Sequence, residues 1–567
     1  MEKTIQQTMH QPIQQIEGIL VTKDYVHFKI ESSSSSENGS PVLLKEFSGA
    51  SFAGKAFPGD TVTWNTKTNS CTLVSRTKHR ALVGRLELAS KIKYGITSRG
   101  VTRYLFIPMH KHYPPFIVGS CESDTKYNRL ALVDFDEWTS INLPKANLRQ
   151  LIGICGNLEA ERQAILLHYT PFQSAKLLSK PLILKDITQE PPRTHCPPCT
   201  FNIDPPGCKD IDDVLSIEEC VDSNILRIWI TISDVAAYIL EDSDYDTSAK
   251  LQAFTAYSDG NAVKPMLPYT ISESRCSLLP GQPRLGISLL LNIDKHDPKK
   301  ILETSWCLST VKNKTQYEYD TFVSVAKQDG IPVELLGEIA SGLLGKETND
   351  PHKWVEAFML TYNLEAAKIL HSVGKGILRK HDGPDLEKLA AYTALGSEEL
   401  MILANSAAKY CLANDSSIEH YGLQAAMYCH ATSPIRRYAD LVNQRVLRAH
   451  ILQKPVEIQP PNIAWLNQRQ KELKSYERDL FFLKQVLSID SCAANTVSAI
   501  VVTTTPVVKL WITSWKRLIK WDSTVEQISD HIQPGSILQL SYFANPQNRS
   551  WKERIVFRID LNRTQLF

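Results

Sequence analysis

The chain has 567 residues, 43% of them hydrophobic, which is enough for several domains with real cores and excludes a disordered protein. Its 63 Lys and Arg against 61 Asp and Glu leave a formal net charge of only +2, so any polyanion must be held by local basic patches, not bulk attraction. No apolar run approaches the roughly 18 residues of a membrane span, which predicts no membrane partner.

The opening stretch, MEKTIQQTMHQPIQQIEG, has neither an apolar signal core nor an Arg-rich amphipathic pattern, so no targeting segment is read there. The 12 cysteines are scattered, and Cys155, Cys307 and Cys411 sit in apolar surroundings. Buried free thiols suit a reducing, cytoplasmic setting.

Residues 1–80 read as a first small β-barrel, with short strands at 18–21, 26–30 and 61–64 and a serine-rich loop insertion from 32. Residues 81–170 read as a second, with strands at 104–108, 116–120 and 130–135 and a helix over 159–167. Barrels of this size fit OB or cold-shock folds, which commonly bind single strands. Residues 171–199 form a proline-containing connector. It holds the chain's one CxxC, Cys196-Pro-Pro-Cys199, for which Cys208 and Cys220 would complete a zinc set; the competing reading is a plain proline-rich loop.

The segment 200–488 begins strand-rich, at 225–232, 286–293 and 303–311, and continues helical. Over 354–370, Val355, Phe358, Met359, Tyr362, Ala366, Ile369 and Leu370 repeat with a 3.6 period, and Asp350-Pro351 supplies a start signal. Further helices are read at 398–412 and 462–486. Residues 489–567 alternate as strands of a third small barrel. There Trp511, Trp515 and Trp521 interleave with Lys509, Lys516, Arg517 and Lys520, suited either to base stacking or to a core with a solvated basic edge.

Two stretches carry chemistry. In FNIDPPGCKDIDDVLSIEE, residues 201–219, the four aspartates Asp204, Asp210, Asp212 and Asp213 fall within ten residues. Pro205, Pro206 and Gly207 break a strand into a tight loop. Carboxylates this close resist full ionisation unless a cation sits among them, and their hard oxygens suit Mg²⁺ or Mn²⁺; the plainer reading is a solvated acidic loop. In HATSPIRRYADLVNQRVLRAH, residues 430–450, Ser433 reads as an N-cap with Pro434 at N1. Ile435, Tyr438, Val442 and Val446 share one face, and Arg436, Asp440, Asn443 and Arg448 lie off it. A helix N-terminus with arginines in its first turn seats a phosphate; the alternative is a buried helix whose arginines pair with aspartates.

The frame "IDPP…KD.DD.LS" and the string TSPIRRY, with HYGL at 420–423 before it, resemble the RNB catalytic domain of the ribonuclease II and ribonuclease R family, which includes the catalytic subunit of the exosome. Smaller echoes are MLP at 266–268, VEAFML at 355–360 and LRKHDGP at 378–384. The resemblance covers about residues 15 to 500, without a PIN-type domain ahead of the first barrel. It implies an α+β multidomain fold: two N-terminal OB/cold-shock β-barrels, a central mixed α/β RNB domain and a C-terminal OB-like barrel. The implied activity is processive 3′-to-5′ hydrolysis of single-stranded RNA to nucleoside 5′-monophosphates by a two-metal mechanism, with Mg²⁺, or Mn²⁺, as cofactor.

By the same resemblance Asp204, Asp210 and Asp213 bind metal, Asp212 is the carboxylate nearest the reaction, and Arg436 stabilises the phosphate. Tyr257, Tyr317, Glu356, Tyr428, Arg437, Trp511 and Lys516 are the expected RNA contacts. Other RNA-decay proteins are expected partners of a monomeric catalytic unit. Three departures from the family pattern, Thr231, Ala357 and Gln444, bear on activity level. A catalytically silent RNB-fold RNA-binding regulator or scaffold is the alternative, and a DNA-directed nuclease a third reading; the retained aspartates and Arg436 favour the enzyme.

Overall fold

Alternate residues of β1 (Gln15–Thr22) turn inward, Leu20 among them, and so give this strand one buried face. With β2 (His27–Ser35), β3 (Pro41–Ser48), β4 (Thr61–Asn65) and β5 (Ser70–Ser75) it forms a sheet of order β3-β2-β1-β4-β5, over a core of Leu20, Phe28, Ile30, Val62 and Trp64. The structure is a computed structural model. It describes residues 15–35, 41–77, 81–135, 137–139, 142–170, 190–220, 224–459, 461–487, 495–521, 532–544 and 555–559. Most of the connector expected at 171–199 lies outside the described residues. Two compact units emerge: 1–172 with 479–489 and 544–555, and 173–478 with 490–543 and 556–567.

The first unit also holds β6 (Leu82–Leu86), β7 (Arg103–Pro108), β8 (Phe116–Gly119), β9 (Arg129–Asp134) and β10 (Lys145–Ile154), closed into a barrel. Closure comes from β10, which runs parallel to β8 at Lys145↔Ile117 and then antiparallel to β9. Two register shifts let it bend between those partners. Helix α1 (Leu158–Tyr169), capped by the Asn157 side chain, packs Ala160 and Ala164 on Val83, Leu130 and Leu132. Gly153 permits this, because a Cβ there would meet that of Ala160 at 2.6 Å.

The second unit is built on seven strands: β11 (Thr194–His195), β12 (Thr200–Asp204), β13 (Asp213–Glu219), β14 (Ile225–Ser233), β17 (Pro283–Asp294), β18 (Asp297–Lys312) and β19 (Thr315–Glu318). Their order is β11-β18-β17-β14-β13-β12-β19. A separate hairpin joins β15 (Ala256–Ser258) to β16 (Asn261–Lys264). Strands β14 and β17 are buried on both faces over their central residues, hence their apolar-rich sequences. Ile228, Ile230, Leu289 and Leu291 pack with Leu336 of α2 (Val333–Leu344) and with Phe358, Tyr362 and Leu370 of α3 (Pro351–Val373). Asp350 caps α3 with Pro351 in its first turn, as the sequence predicts, and Gly374 ends it in the left-handed conformation at φ 68°.

The helix expected over 398–412 is only one turn, Glu398–Met401. Residues Lys409–Leu412 instead form a strand, β21, paired with β20 (Ile377–Lys380), because pairing buries Leu378, Tyr410 and Cys411. Helices α4 (Tyr438–Ile451) and α5 (Ile463–Leu487) follow. The last strands, β22 (Asn495–Thr503), β23 (Lys509–Ile512), β24 (Arg517–Lys520), β25 (Ile537–Ala544) and β26 (Ile555–Ile559), repeat the connectivity of the first sheet, in order β24-β23-β22-β25-β26.

One ionic cluster is deeply buried. Arg448 of α4 binds Asp234 and, at 2.6 Å, Glu190, while Arg193 reaches both acids at 2.7 Å. Removing Arg448 would leave two buried carboxylates to share the single charge of Arg193. Arg448→Ala is therefore expected to cost about 3–5 kcal/mol of stability, read as a lowered urea midpoint at unchanged slope, whereas an exposed-pair change such as Lys327→Ala should move it by under about 1 kcal/mol.

Candidate active site

Strand β12 delivers Asp204 at its end, and Gly207, at φ 77°, turns the chain back through Asp210 to Asp213 at the start of β13. Ile211 pins the loop: it is fully buried, its N–H donates to Ser277 Oγ at 3.0 Å, and its carbonyl accepts from Leu278 N–H at 3.0 Å. Asn202 Nδ2 donates to Asp204 at 2.7 Å, and Asn313 in turn holds Asn202 at 2.7 Å. The Tyr257 hydroxyl, from the β15–β16 hairpin, donates to Asp210.

Asp212 is 4% exposed. Its Oδ1 accepts from the Ile435 N–H at 3.0 Å and its Oδ2 from Arg436 Nε at 3.1 Å, so the two motifs meet here. The helix expected to have Ser433 as its N-cap and Pro434 as its first residue begins four residues later, with Arg437 at the N-cap position and Tyr438 first. Ser433 to Arg437 form a turn instead, with the N–H groups of Arg436 and Arg437 donating to Ser433 O at 3.2 and 2.9 Å. Side chains have claimed the amides: Asp440 takes the Ser433 N–H at 2.8 Å and Asp212 that of Ile435. Arg436 consequently projects from a turn, with 44% of its side chain exposed. Arg437, expected to contact RNA, is spent on Asp440, which it grips through Nε at 3.0 Å and Nη2 at 2.7 Å.

Burial pushes the Asp212 carboxyl up to about 7 against the pull of Arg436. Burial raises Asp213 strongly, with the charges of Asp204 and Asp212 adding to it. Asp204 is raised by burial too, despite hydrogen bonds from Asn202 and Cys208. Among the described residues no three carboxylate, imidazole or thiol groups form a closed metal cage. The donor chemistry nonetheless fits a hard divalent ion. Crowded carboxylates hold protons that a cation would displace, and with Asp212 committed to Arg436 the available oxygens belong to Asp204, Asp210 and Asp213.

Other expected contacts divide. Tyr317 is 4% exposed, donates to Asp329 at 2.8 Å and packs on Phe201 and Phe322, so it is a core residue and no ligand contact. Tyr319, two residues on and not singled out in the sequence, lies close enough to Asp213 and Asp204 to feel their charge. Burial, then the charges of Asp213 and Asp204, raise its phenol, and its ring stacks on His352 at 3.8 Å. Glu356 is exposed and pairs with Lys353 at 2.6 Å, one helical turn beyond His352. Tyr428 is half-buried and accepts from Asn363 Nδ2 at 3.1 Å. Trp511, expected to stack on bases, is 9% exposed and packs with Leu400, Ile500 and Val502, where burial outweighs exposure of so large a ring. Lys516 is exposed at the turn between β23 and β24.

The zinc set does not assemble. Cys196 packs with Ile211 and Val214, whereas Cys199 packs against the main core. The three family departures all sit in packed interior. Thr231 shares its hydroxyl with Ser288 at 2.7 Å, Gln444 donates to Ser233 O at 2.6 Å, and Ala357 is 1% exposed among the core side chains of α3.

Comparison with known proteins matches residues 195–334 and 330–453 to the RNB domain and residues 103–170 to the Dis3-like cold-shock domain 2. The chain is 27% identical over 432 residues to the exosome complex exonuclease RRP44 of Mus musculus, covering 62% of this chain and 44% of that protein. It is 28% identical over 364 residues to ribonuclease R of Helicobacter pylori, covering 52% and 55%. The chain thus spans about half the length of these curated relatives. Its fold superposes on Mycoplasma genitalium RNase R in complex with ribose methylated single-stranded RNA, with TM-score 0.74, 16% identity and coverage of 96% of this chain and 100% of that one. It also superposes on yeast Ssd1, a pseudonuclease, with TM-score 0.67, 16% identity and coverage of 93% and 82%.

The carboxylates set a pH dependence. Because the folded carboxyls of Asp204, Asp212 and Asp213 lie above their ordinary value of 3.8, the folded protein binds more protons than the unfolded chain between about pH 4 and 7. Stability in EDTA should therefore fall as pH rises through that window. Mg²⁺ should flatten the fall, and Asp213→Asn should raise the melting temperature in EDTA while abolishing the Mg²⁺ gain; thermal melts at pH 4.5 and 7 check this.

Proposed function

From the premise that this chain is a member of the RNB-domain family, we propose that it is a 3′-to-5′ exoribonuclease that hydrolyses single-stranded RNA to nucleoside 5′-monophosphates. One observation carries the reading: Asp212 clasps Arg436 across the two motifs with all four aspartates retained. Divalent ions, when bound by Asp204, Asp210 and Asp213, would neutralise the scissile phosphate and supply an activated water.

The chain's own groups do the rest. Asp212 fixes the plane of the Arg436 guanidinium through Nε, which leaves both Nη groups to take phosphate oxygens in a planar, bidentate contact. Tyr257 on the Asp210 side and Tyr319 on the Asp204 and Asp213 side offer ring faces to the terminal base. A ribose 2′-hydroxyl beside these carboxylates would supply the preference for RNA over DNA.

The same fold in a pseudonuclease keeps a second reading alive, a silent RNA-binding scaffold. End-labelled single-stranded RNA with Mg²⁺ or EDTA decides between them. Shortening from the 3′ end to 5′-monophosphates supports the enzyme; binding with no Mg²⁺-dependent decay supports the scaffold.

Asp212→Asn is expected to lower the rate by at least about 10²-fold while RNA binding persists, since the amide oxygen can still accept from Ile435 N–H while both the charge facing Arg436 and the acceptor for its Nε–H are lost. Arg436→Ala should cost a similar factor, and Arg436→Lys should recover only part of it, because an ammonium lacks the planar fork. Single-turnover rates beside binding titrations measure both.

A further inference from the structure

Arg379 lies in β20, opposite Tyr410 of β21, with its side chain turned inward and 9% exposed. Its guanidinium sits 5.2 Å from the Tyr410 ring centroid. Among the described residues no carboxylate pairs with it, and its buried Nη1 has no hydrogen-bond partner. Among the described residues, Arg193, Arg448 and Arg469 have similarly buried side chains and are all ion-paired: Arg193 and Arg448 with Asp234 and Glu190, Arg469 with Glu472. A buried cation without a counter-charge is costly, and proteins rarely tolerate one unless something else supplies the partner.

A second unpartnered group lies beside it. Nδ1 of His420, a residue 8% exposed, is buried with no hydrogen-bond partner among the described residues. The two are linked through one cluster of aromatic and imidazole rings. Arg379 N–H donates to Tyr428 O at 2.8 Å, the Tyr428 ring meets His420 edge-on at 5.3 Å and His430 at 5.7 Å, and His430 Nδ1 lies 2.9 Å from Tyr410 Oη. The nearby charges of Arg436 and Arg437 are already matched by Asp212 and Asp440. That leaves Arg379 without a carboxylate of its own among the described residues.

Burial, then the neighbouring His381 and Arg379, push His420 down to about 4; burial and the adjacent arginines also lower His430. Both imidazoles are neutral at pH 7 and add hydrogen bonding without charge. One guanidinium with neutral imidazoles matches the single negative charge of a phosphodiester better than the near-double charge of a phosphate monoester.

We propose that Arg379, assisted by His420, is a positioning residue that seats a backbone phosphodiester of the RNA strand other than the one being cleaved. This rests on the exoribonuclease reading of the neighbouring carboxylates. The seat holds the strand; it takes no part in bond breaking.

The test uses the full chain, wild type, Arg379→Gln and Arg379→Lys, titrated in EDTA with a fluorescent single-stranded RNA decamer at several salt concentrations. Arg379→Gln should weaken binding about tenfold or more and make the slope of log K against log salt shallower by about 0.7. Arg379→Lys should restore the slope. With Mg²⁺, Arg379→Gln should raise KM far more than it lowers kcat. A structural prop would not alter the salt slope, so weaker binding at an unchanged slope overturns the proposal. So does Arg379→Gln matching wild type. Inorganic phosphate at millimolar level, raising the wild-type melting temperature but not that of Arg379→Gln while RNA affinities agree, would assign the pocket to a free anion and overturn it too. Wild-type protein that binds no RNA overturns both readings, whereas wild type that cuts RNA beside an equally tight Arg379→Gln overturns this one alone.

Discussion

The buried carboxylate of Asp212 is the constraint on which the site depends. A charge 4% exposed is expensive unless its oxygens are satisfied, and here one oxygen takes a backbone N–H and the other a guanidinium. Both partners come from a turn more than 200 residues along the chain. The backbone of Asp212 is committed as well, since its carbonyl accepts from Ser233 N–H at 2.8 Å, and Ser233 O accepts from Gln444 at 2.6 Å. The aspartate loop, the end of β14, the arginine turn and helix α4 thus close into one hydrogen-bonded circuit.

That circuit explains why α4 is buried on its polar side. Asp440, Asn443, Gln444 and Arg448 lie off its apolar stripe, yet none is more than 8% exposed. Asn443 alone takes the Ile377 N–H at 2.7 Å and gives its own amide hydrogens to Ile377 O and His430 O at 2.8 and 2.9 Å. Such residues set positions to a few tenths of an ångström, which apolar packing alone does poorly. The helix is a frame that aims the turn before it, with Arg436 at its tip and Arg437 locked to Asp440 behind.

The aspartate cluster was legible because its chemistry is local: four carboxylates in ten residues announce themselves whatever the fold. The strands at 225–232 and 286–293 were legible because burial on both faces writes apolar-rich runs, and the helix at 354–370 because burial on one face writes a 3.6 period, whereas α2 was not read. Tyr319 was not legible. Tyr317 and Tyr319 share strand parity, but β19 ends at Glu318, so only the first continues into the core. Nor was the start of α4, because Ser433 and Pro434 are good capping residues in isolation, and the competing acceptors for those amides come from Asp212 and Asp440. Trp511 misled for a related reason. Alternation with lysines looks alike on a stacking platform and on a sheet that buries one face, and the partner that decides, Leu400, is over a hundred residues away.

Fold likeness cannot separate an active member of this family from a silent one. The backbone superposes on an RNase R at TM-score 0.74 and on a pseudonuclease at 0.67, with the same 16% identity. Loss of catalysis would leave the sheet core and the Arg448, Asp234 and Glu190 cluster of this chain in place. The carboxylates contribute in the opposite direction. Burial raises Asp204 and Asp213, and crowding adds to it, so without a cation they weaken the fold they occupy. A chain under no demand to cut phosphodiesters would gain stability by replacing them with neutral side chains. Here all four aspartates are present, and a buried arginine without a carboxylate lies in the same domain. Two unfavourable electrostatic features of opposite sign are hard to explain by folding alone. A polyanion bound together with divalent cations, as proposed for this site, would relieve both.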